Sequence, residues 1–258
     1  MWQTCLATVT VSNEQSDTPN YLSGTLHGNA RRLVRMAMLA MLRPLLSLRL
    51  IGLDLIPIEG PLLVVSNHLS NADPIILEFA FPRPLFFMGK VELFANPIFR
   101  WFLLRFGGFP VERGTADRAA LRRAQEVLKQ GIAVGIYPEG GRSKSASLVK
   151  GLAGAGLIAL QSQAPVVPVA ITGTEFFPVN GDWPMRRPRE VPRGVTIRCG
   201  APFSIPERVD GRRVTPEEAT TLMMLKIAAL LPERYHGVYR DEGVIEAPGE
   251  APSLLTRR

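Results

Sequence analysis

Cysteine is almost missing from this chain. Cys5 and Cys199 are its two, far apart and in no C-x-x-C pair. That argues against a disulfide framework or a zinc knuckle and fits a reducing compartment. Histidine is nearly as scarce: His27, His68 and His236 are too scattered for a zinc site, and there is no H-E-x-x-H, so no metal is expected. A serine hydrolase would lack its G-x-S-x-G elbow. No run of about 18 apolar residues is present to cross a bilayer; the best candidate, 36–58, is broken by Arg43, Pro44, Arg49 and Asp54. Residues 1–11 carry no basic flank ahead of an apolar run, so no secretory signal is expected. Acidic residues are outnumbered, 23 against 30 Lys and Arg, for a net charge of +7. That balance fits an anionic partner, whether nucleic acid, an acidic leaflet or a phosphorylated ligand, or simply a solvated basic surface. Nucleic-acid binding wants basic residues interleaved with exposed aromatics. Here they are interleaved with Leu and Met, so no nucleic-acid partner is expected.

Hydrophobic residues make up 46% of the 258, enough for one large α/β domain with a full core. Residues 1–25 are polar and read as a flexible lead-in, 26–50 as an amphipathic helical segment, 51–231 as the main domain and 232–258 as a loosely held tail. No internal repeat is present. Strands are expected at Leu62–Ser66, Leu85–Met88, Ile132–Tyr137, Val166–Ile171 and Val195–Cys199. Helices are expected at Leu26–Leu48, Pro74–Phe81, Pro97–Phe106, Thr115–Gln130, Leu152–Gln161 and Pro216–Leu231. This alternation predicts a single-domain α/β fold with a mostly parallel, mixed sheet flanked by helices. In such sheets the ligand crevice lies beyond the carboxyl ends of the strands.

On a helical wheel of residues 26–50, Arg31, Arg32, Arg35, Arg43 and Arg49 fall within about one third of the circumference. Leu, Met, Val and Ala fill the rest. Such a helix can lie in the headgroup plane of an anionic leaflet, its arginines on lipid phosphates. It can equally pack on the core with its arginines in water. Pro44 is expected to kink or split it.

The segment Leu62 to Pro74 carries the sharpest signal. An apolar strand ends in a polar turn, Asn67-His68-Leu69-Ser70-Asn71-Ala72, and a helix starts at Asp73-Pro74. On one helix His68 and Asp73 would stand about 140° apart and could not meet. With His68 in the turn and Asp73 at the helix mouth, the chain can fold back. Asp73 would then hold His68 Nδ1–H and leave Nε2 free as a base. The competing reading makes Asp73 a simple N-cap ahead of Pro74.

Asn67-His68-x-x-x-x-Asp73 resembles the first motif of the 1-acylglycerol-3-phosphate acyltransferase family, the PlsC-like glycerolipid acyltransferases. Phe87-Met88-Gly89-Lys90-Val91-Glu92-Leu93-Phe94 resembles the family's segment after its second strand. Gly108-Phe109-Pro110-Val111-Glu112-Arg113 is similar to the second motif, where Ile and Asp are commoner than Phe109 and Glu112. Tyr137-Pro138-Glu139-Gly140-Gly141-Arg142-Ser143 is similar to the third, with Gly141 in place of the usual Thr, and Val166-Val167-Pro168-Val169-Ala170-Ile171 to the fourth. The resemblance spans roughly residues 50–205 and keeps the family's order.

The resemblance implies a glycerol-3-phosphate-acyltransferase-like fold preceded by a membrane-attachment helix. It implies an O-acyltransferase in which His68, oriented by Asp73, deprotonates a glycerol hydroxyl that attacks an acyl thioester. The acyl donor would be acyl-CoA or an acyl carrier protein, as a co-substrate rather than a cofactor. The acceptor would be 1-acyl-glycerol 3-phosphate and the product phosphatidate. The acceptor would lie against Arg113, Glu139, Gly140 and Arg142, with Lys90 and Lys150 as further candidates for its phosphate. Attachment to the cytoplasmic face of the membrane would be peripheral or monotopic. Other acceptors stay open: glycerol 3-phosphate, a lyso-ornithine lipid or a glycolipid. Two other readings are a thioesterase and a non-catalytic protein binding anionic lipid.

Gly154-Ala155-Gly156-Leu157-Ile158-Ala159 fits G-x-G-x-x-G/A, but a dinucleotide site needs its glycines directly after a strand. The polar stretch 139–150 intervenes, so the small residues are read as close helix–sheet packing.

Overall fold

A computed structural model of the chain describes residues 28–90, 95, 97–111, 118–180, 187–189, 191 and 193–241. Its regular elements, in chain order, begin with α1 (Gly28–Leu46), β1 (Arg49–Ile51), β2 (Leu62–Ser66), α2 (Asp73–Ala80), β3 (Leu85–Lys90), α3 (Pro97–Arg105) and β4 (Phe109–Val111). They continue with α4 (Arg118–Lys129), β5 (Ala133–Ile136), α5 (Gly154–Ser162), β6 (Val166–Thr172), β7 (Thr196–Cys199), β8 (Arg208–Val209), β9 (Arg212–Arg213) and α6 (Pro216–Ala228).

Seven strands form one sheet in the order β1-β7-β6-β2-β5-β3-β4, and β8 pairs with β9 apart from it. Every neighbouring pair in the large sheet is parallel except β6 with β7. All five residues of β2 and all four of β5 are buried. Continuous apolar runs suit strands covered on both faces. Side chains alternate between the faces. Leu63 and Val65 join Val134, Ile136, Val127, Ile158, Met223 and Ile227 beneath α4, α5 and α6. Leu62 and Val64 join Val167, Val169, Leu77 and Leu39 beneath α1 and α2.

Local chemistry sets several helix ends. The Thr215 hydroxyl accepts Glu218 N–H at 3.2 Å and Glu218 Oε2 accepts Thr215 N–H at 2.9 Å, a reciprocal cap with Pro216 as the first residue of α6. In α4 the buried residues Ala120, Ala124, Val127 and Leu128 recur at helical spacing. A Cβ on Gly156 would stand 1.9 Å from Pro216 O, so only glycine lets α5 approach α6 this closely. Gly156 therefore serves helix–helix packing, while Ala155 and Ala159 lie in the core cluster with the sheet residues Val134 and Val166, as expected.

The strands expected from sequence are present, with ends shifted by at most two residues. The edge strands β1 and β4 and the β8–β9 hairpin are additional; each is only two or three residues long, too short to show a period. The expected tail begins too early. Residues 232–240 form two 3₁₀ turns that bury Tyr235 and Tyr239, with Leu148 N–H donating to Tyr235 O at 2.8 Å and Gly151 N–H to Tyr239 Oη at 3.1 Å. His236 is half-buried with Nε2 3.0 Å from Leu231 O. The expected lead-in, 1–25, lies outside the described residues, as do His27 and residues 242–258.

The arginine stripe needs correction. Arg31 is buried and pairs with Glu78 of α2, and Arg35 Nη2 donates to Ala80 O at 3.1 Å. Arg49 is not in the helix at all; it opens β1 beside Thr196. Arg32 and Arg43 alone of the five remain exposed on α1. The outward face of α1 is instead apolar: Leu33 is 68% exposed and Leu45 71%, with Met36 and Met41 between them. The cause is Glu78. A buried carboxylate without a cation costs more than several aliphatic side chains left outside. Pro44 does not split the helix, which runs two residues past it to Leu46.

Candidate active site

The turn after β2 is held from three directions. The Asn67 side chain takes both backbone groups of Ile171: Nδ2 donates to Ile171 O at 2.9 Å and Oδ1 accepts Ile171 N–H at 2.8 Å. It carries the pairing of β2 with β6 one residue past the strand's end. On the other side, β2 and β5 run in register, Val65 opposite Ile136. The same offset brings His68 level with Glu139, and His68 N–H donates to Glu139 Oε1 at 2.9 Å. Ser143 N–H closes the frame by donating to His68 O at 2.9 Å.

His68 is 4% exposed, at the carboxyl end of the central strand. Its Nδ1 lies 3.0 Å from Asp73 Oδ2. The same oxygen accepts Leu69 N–H and Ser70 N–H, each at 2.7 Å. The Asp73 carboxylate therefore turns back into the preceding loop rather than capping α2, and the competing N-cap reading falls. Two backbone N–H groups fix the direction of the carboxylate. With Nδ1 taken, Nε2 is the ring nitrogen left to accept a proton. The Tyr137 ring stacks on the imidazole, centroids 4.0 Å apart and planes 15° apart.

Glu139 differs from its expected role. Both its oxygens are engaged with backbone, Oε1 with His68 and Oε2 with Val149 N–H at 3.2 Å. Burial raises its carboxyl to about 7 against those two bonds, with the charge of Asp73 adding to the rise. It braces the turn that carries His68. Gly140 turns with φ +70°, and a Cβ there would meet Leu152 Cδ1 at 2.4 Å. Gly141 has open space around its Cα, so nothing in the packing excludes a larger residue. Arg142 is half-buried and Nη1 donates to Asn180 O at 3.0 Å. Lys150 is exposed, one residue past the Val149 that Glu139 holds. Arg113 and the Lys90 side chain lie outside the described residues. Among the described residues no three His, Cys, Asp or Glu side chains are grouped to hold a metal ion.

Sequence reading missed the parts played by Asn67, Tyr137 and Ser143. Their partners lie across the sheet, and only the strand register brings them to the turn.

A family model described as Acyltransferase matches residues 47–172, and this part of the chain belongs to that family. The relatives it matches are 1-acyl-sn-glycerol-3-phosphate acyltransferases by name. It is 35% identical over 113 residues to the 1-acyl-sn-glycerol-3-phosphate acyltransferase of Streptococcus pneumoniae, covering 43% of this chain and 41% of that one. It is 32% identical over 119 residues to the enzyme of the same name from Bacillus subtilis, covering 46% and 59%. The chain thus spans about half the length of the curated relatives it matches. The crystal structure of the 1-acyl-sn-glycerophosphate (LPA) acyltransferase PlsC from Thermotoga maritima superposes with a TM-score of 0.58 at 25% identity, covering 78% of this chain and 79% of that one.

Proposed function

We propose that the protein moves a fatty acyl group from an acyl thioester to the free hydroxyl of 1-acyl-glycerol 3-phosphate, giving phosphatidate. The observation that carries this reading is the buried His68–Asp73 pair at 3.0 Å, its carboxylate anchored by two backbone N–H groups. His68 Nε2 takes the proton of the acceptor hydroxyl as the oxygen attacks the thioester carbonyl. Asp73 steadies the imidazolium that forms. When the tetrahedral intermediate collapses the C–S bond breaks, and the imidazolium returns its proton to the departing thiolate. Arg142, with Arg113 and Lys90, is the cation set assigned to the acceptor phosphate, since guanidinium groups fork onto phosphate oxygens. Lys150 is a weaker candidate for the same charge. The relatives' names support the acceptor; the donor, acyl-CoA or an acyl carrier protein, is a matter for assay.

Purified protein with labelled acyl-CoA and a panel of lyso-lipids should acylate lysophosphatidate in preference to neutral lyso-lipids, read by product chromatography. His68→Ala should lower the rate by about 10²–10⁴ while the fold persists. Turnover near that of the parent chain would remove His68 from the mechanism, and free fatty acid released without acceptor would point to a thioesterase.

Membrane attachment belongs to the same reading and falls to the outward apolar face of α1. No helix among the described residues is long and apolar enough to cross a bilayer. Leu33, Met36, Met41 and Leu45 would enter the acyl boundary of the cytoplasmic leaflet, with Arg32 and Arg43 at headgroup level. Changing Leu33, Met41 and Leu45 to Asp should abolish sedimentation with anionic vesicles, and Arg32→Glu with Arg43→Glu should weaken it less. Unchanged sedimentation of the triple variant would defeat attachment through α1.

A further inference from the structure

Two oxygens at the site stand out for what they lack. Asp73 Oδ2 accepts Leu69 N–H, Ser70 N–H and the ring N–H of His68, whereas Asp73 Oδ1 is buried with no hydrogen-bond partner among the described residues. Tyr137 Oη is buried and equally without a partner. The first is an acceptor carrying carboxylate charge, and the second has a proton to give. Buried polar groups are nearly always paired, directly or through ordered water, so two complementary exceptions beside one imidazole call for a common explanation.

Both residues border the same imidazole. Tyr137 lies face to face on the His68 ring at 4.0 Å, while Phe87 stacks on Tyr137 at 5.7 Å and 14°. Asp73 holds the edge of that same imidazole. Burial first, and then the charge of Asp73, push the Tyr137 hydroxyl well above the ordinary tyrosine value.

We propose that Tyr137 is a positioning residue for the acyl-transfer reaction, its hydroxyl donating to Asp73 Oδ1 through one bridging water, while its ring holds the His68 imidazole flat. This rests on the reading of His68 and Asp73 as the working pair. Asp73 then has donors on both oxygens: three N–H groups on Oδ2 and, on Oδ1, the water that the tyrosine hydroxyl holds. The hydroxyl draws charge away from the imidazole side and so moderates how strongly Asp73 stabilises the imidazolium. The ring keeps Nε2 pointing where the acceptor hydroxyl must arrive. The ionisable groups in contact with His68 among the described residues are Asp73 from α2, and Tyr137 and Glu139 from the segment after β5. Glu139 reaches the His68 backbone rather than its ring.

Tyr137→Phe keeps the ring and deletes the donor. The chain contains three histidines, so ring-labelled histidine gives a simple NMR spectrum, and His68→Gln identifies the His68 signal. In full-length Tyr137→Phe the His68 titration midpoint should rise by roughly half a pH unit or more, because an uncompensated carboxylate holds the imidazolium more tightly. The His236 signal should not move. The acid limb of kcat/KM should shift upward by the same amount. A role limited to packing would leave both midpoints where they are. An unchanged His68 midpoint in the folded variant overturns the proposal. Tyr137→Leu removes ring and donor together; it should shift the midpoint in the same direction and also broaden the His68 signal. A His68 signal as sharp as in Tyr137→Phe would overturn the role given to the ring. The titration needs neither acyl donor nor acceptor. A shifted midpoint in a protein without acyl transfer would therefore sink the functional reading alone, and full acyl transfer with no shift would sink this one alone.

Discussion

The eight-residue helix α2 carries a buried carboxylate at each end, and the two are treated in opposite ways. Asp73, at its start, receives backbone N–H groups on one oxygen and shares that oxygen with an imidazole. Glu78, near its end, faces the guanidinium of Arg31 and accepts Leu85 N–H at 3.1 Å. Burial raises Glu78 to about 8 against the pull of Arg31. Neutral backbone donors aligned by a turn support a charge without adding another to be buried. A salt bridge brings a second charge that must be buried as well. The first arrangement suits chemistry, because a proton can move beside a fixed anion. The second suits fastening, and with the buried Leu39 and the Arg35 bond to Ala80 O it helps hold α1 against the rest of the fold.

Three substitutions test that contrast. The largest effect belongs to Asp73→Asn, which offers His68 Nδ1 an amide and removes the charge that steadies the imidazolium. The acyl-transfer rate should fall by about 10²–10⁴ with little change in thermal midpoint. A variant as active as the parent would show that the two ends of α2 do not differ as described. Next comes Glu78→Ala, which strands the Arg31 cation. Denaturant unfolding should show a loss of about 3–5 kcal/mol, while the folded fraction keeps its turnover. Turnover lost in step with that of Asp73→Asn would merge the two roles. The smallest effect is in pH dependence. Glu78 has its folded value raised, so its contribution to stability is fully present below the ordinary glutamate value near 4.5 and is lost as pH rises through about 8. Glu78→Gln should flatten the fall in stability across that window, and a parallel pH–stability curve would remove Glu78 as its source.

How much of this could be read beforehand depends on distance along the chain. His68 and Asp73 sit five residues apart between an apolar strand and an Asp-Pro helix start, so a fold-back was legible from one segment. The bracing of His68 by Glu139 was not, because it follows from β2 and β5 running side by side with an offset that periodicity cannot supply. Helices α2, α4, α5 and α6 and the five longer strands carried enough buried positions to show themselves. β1 and β4 owe their pairing to neighbours rather than to any pattern of their own. The orientation of α1 was misread for a related reason. The wheel separated arginine from leucine correctly, but which side faced inward was decided by Glu78, 47 residues beyond the Arg31 it pairs with.

That inversion has a practical side. A purified sample presents the row Leu33, Met36, Met41 and Leu45 to plain buffer, and such a surface gains by finding any oily cover. Without detergent or lipid the nearest cover is the same row on another copy. The choice of amphiphile during purification will therefore set the apparent size of the particle.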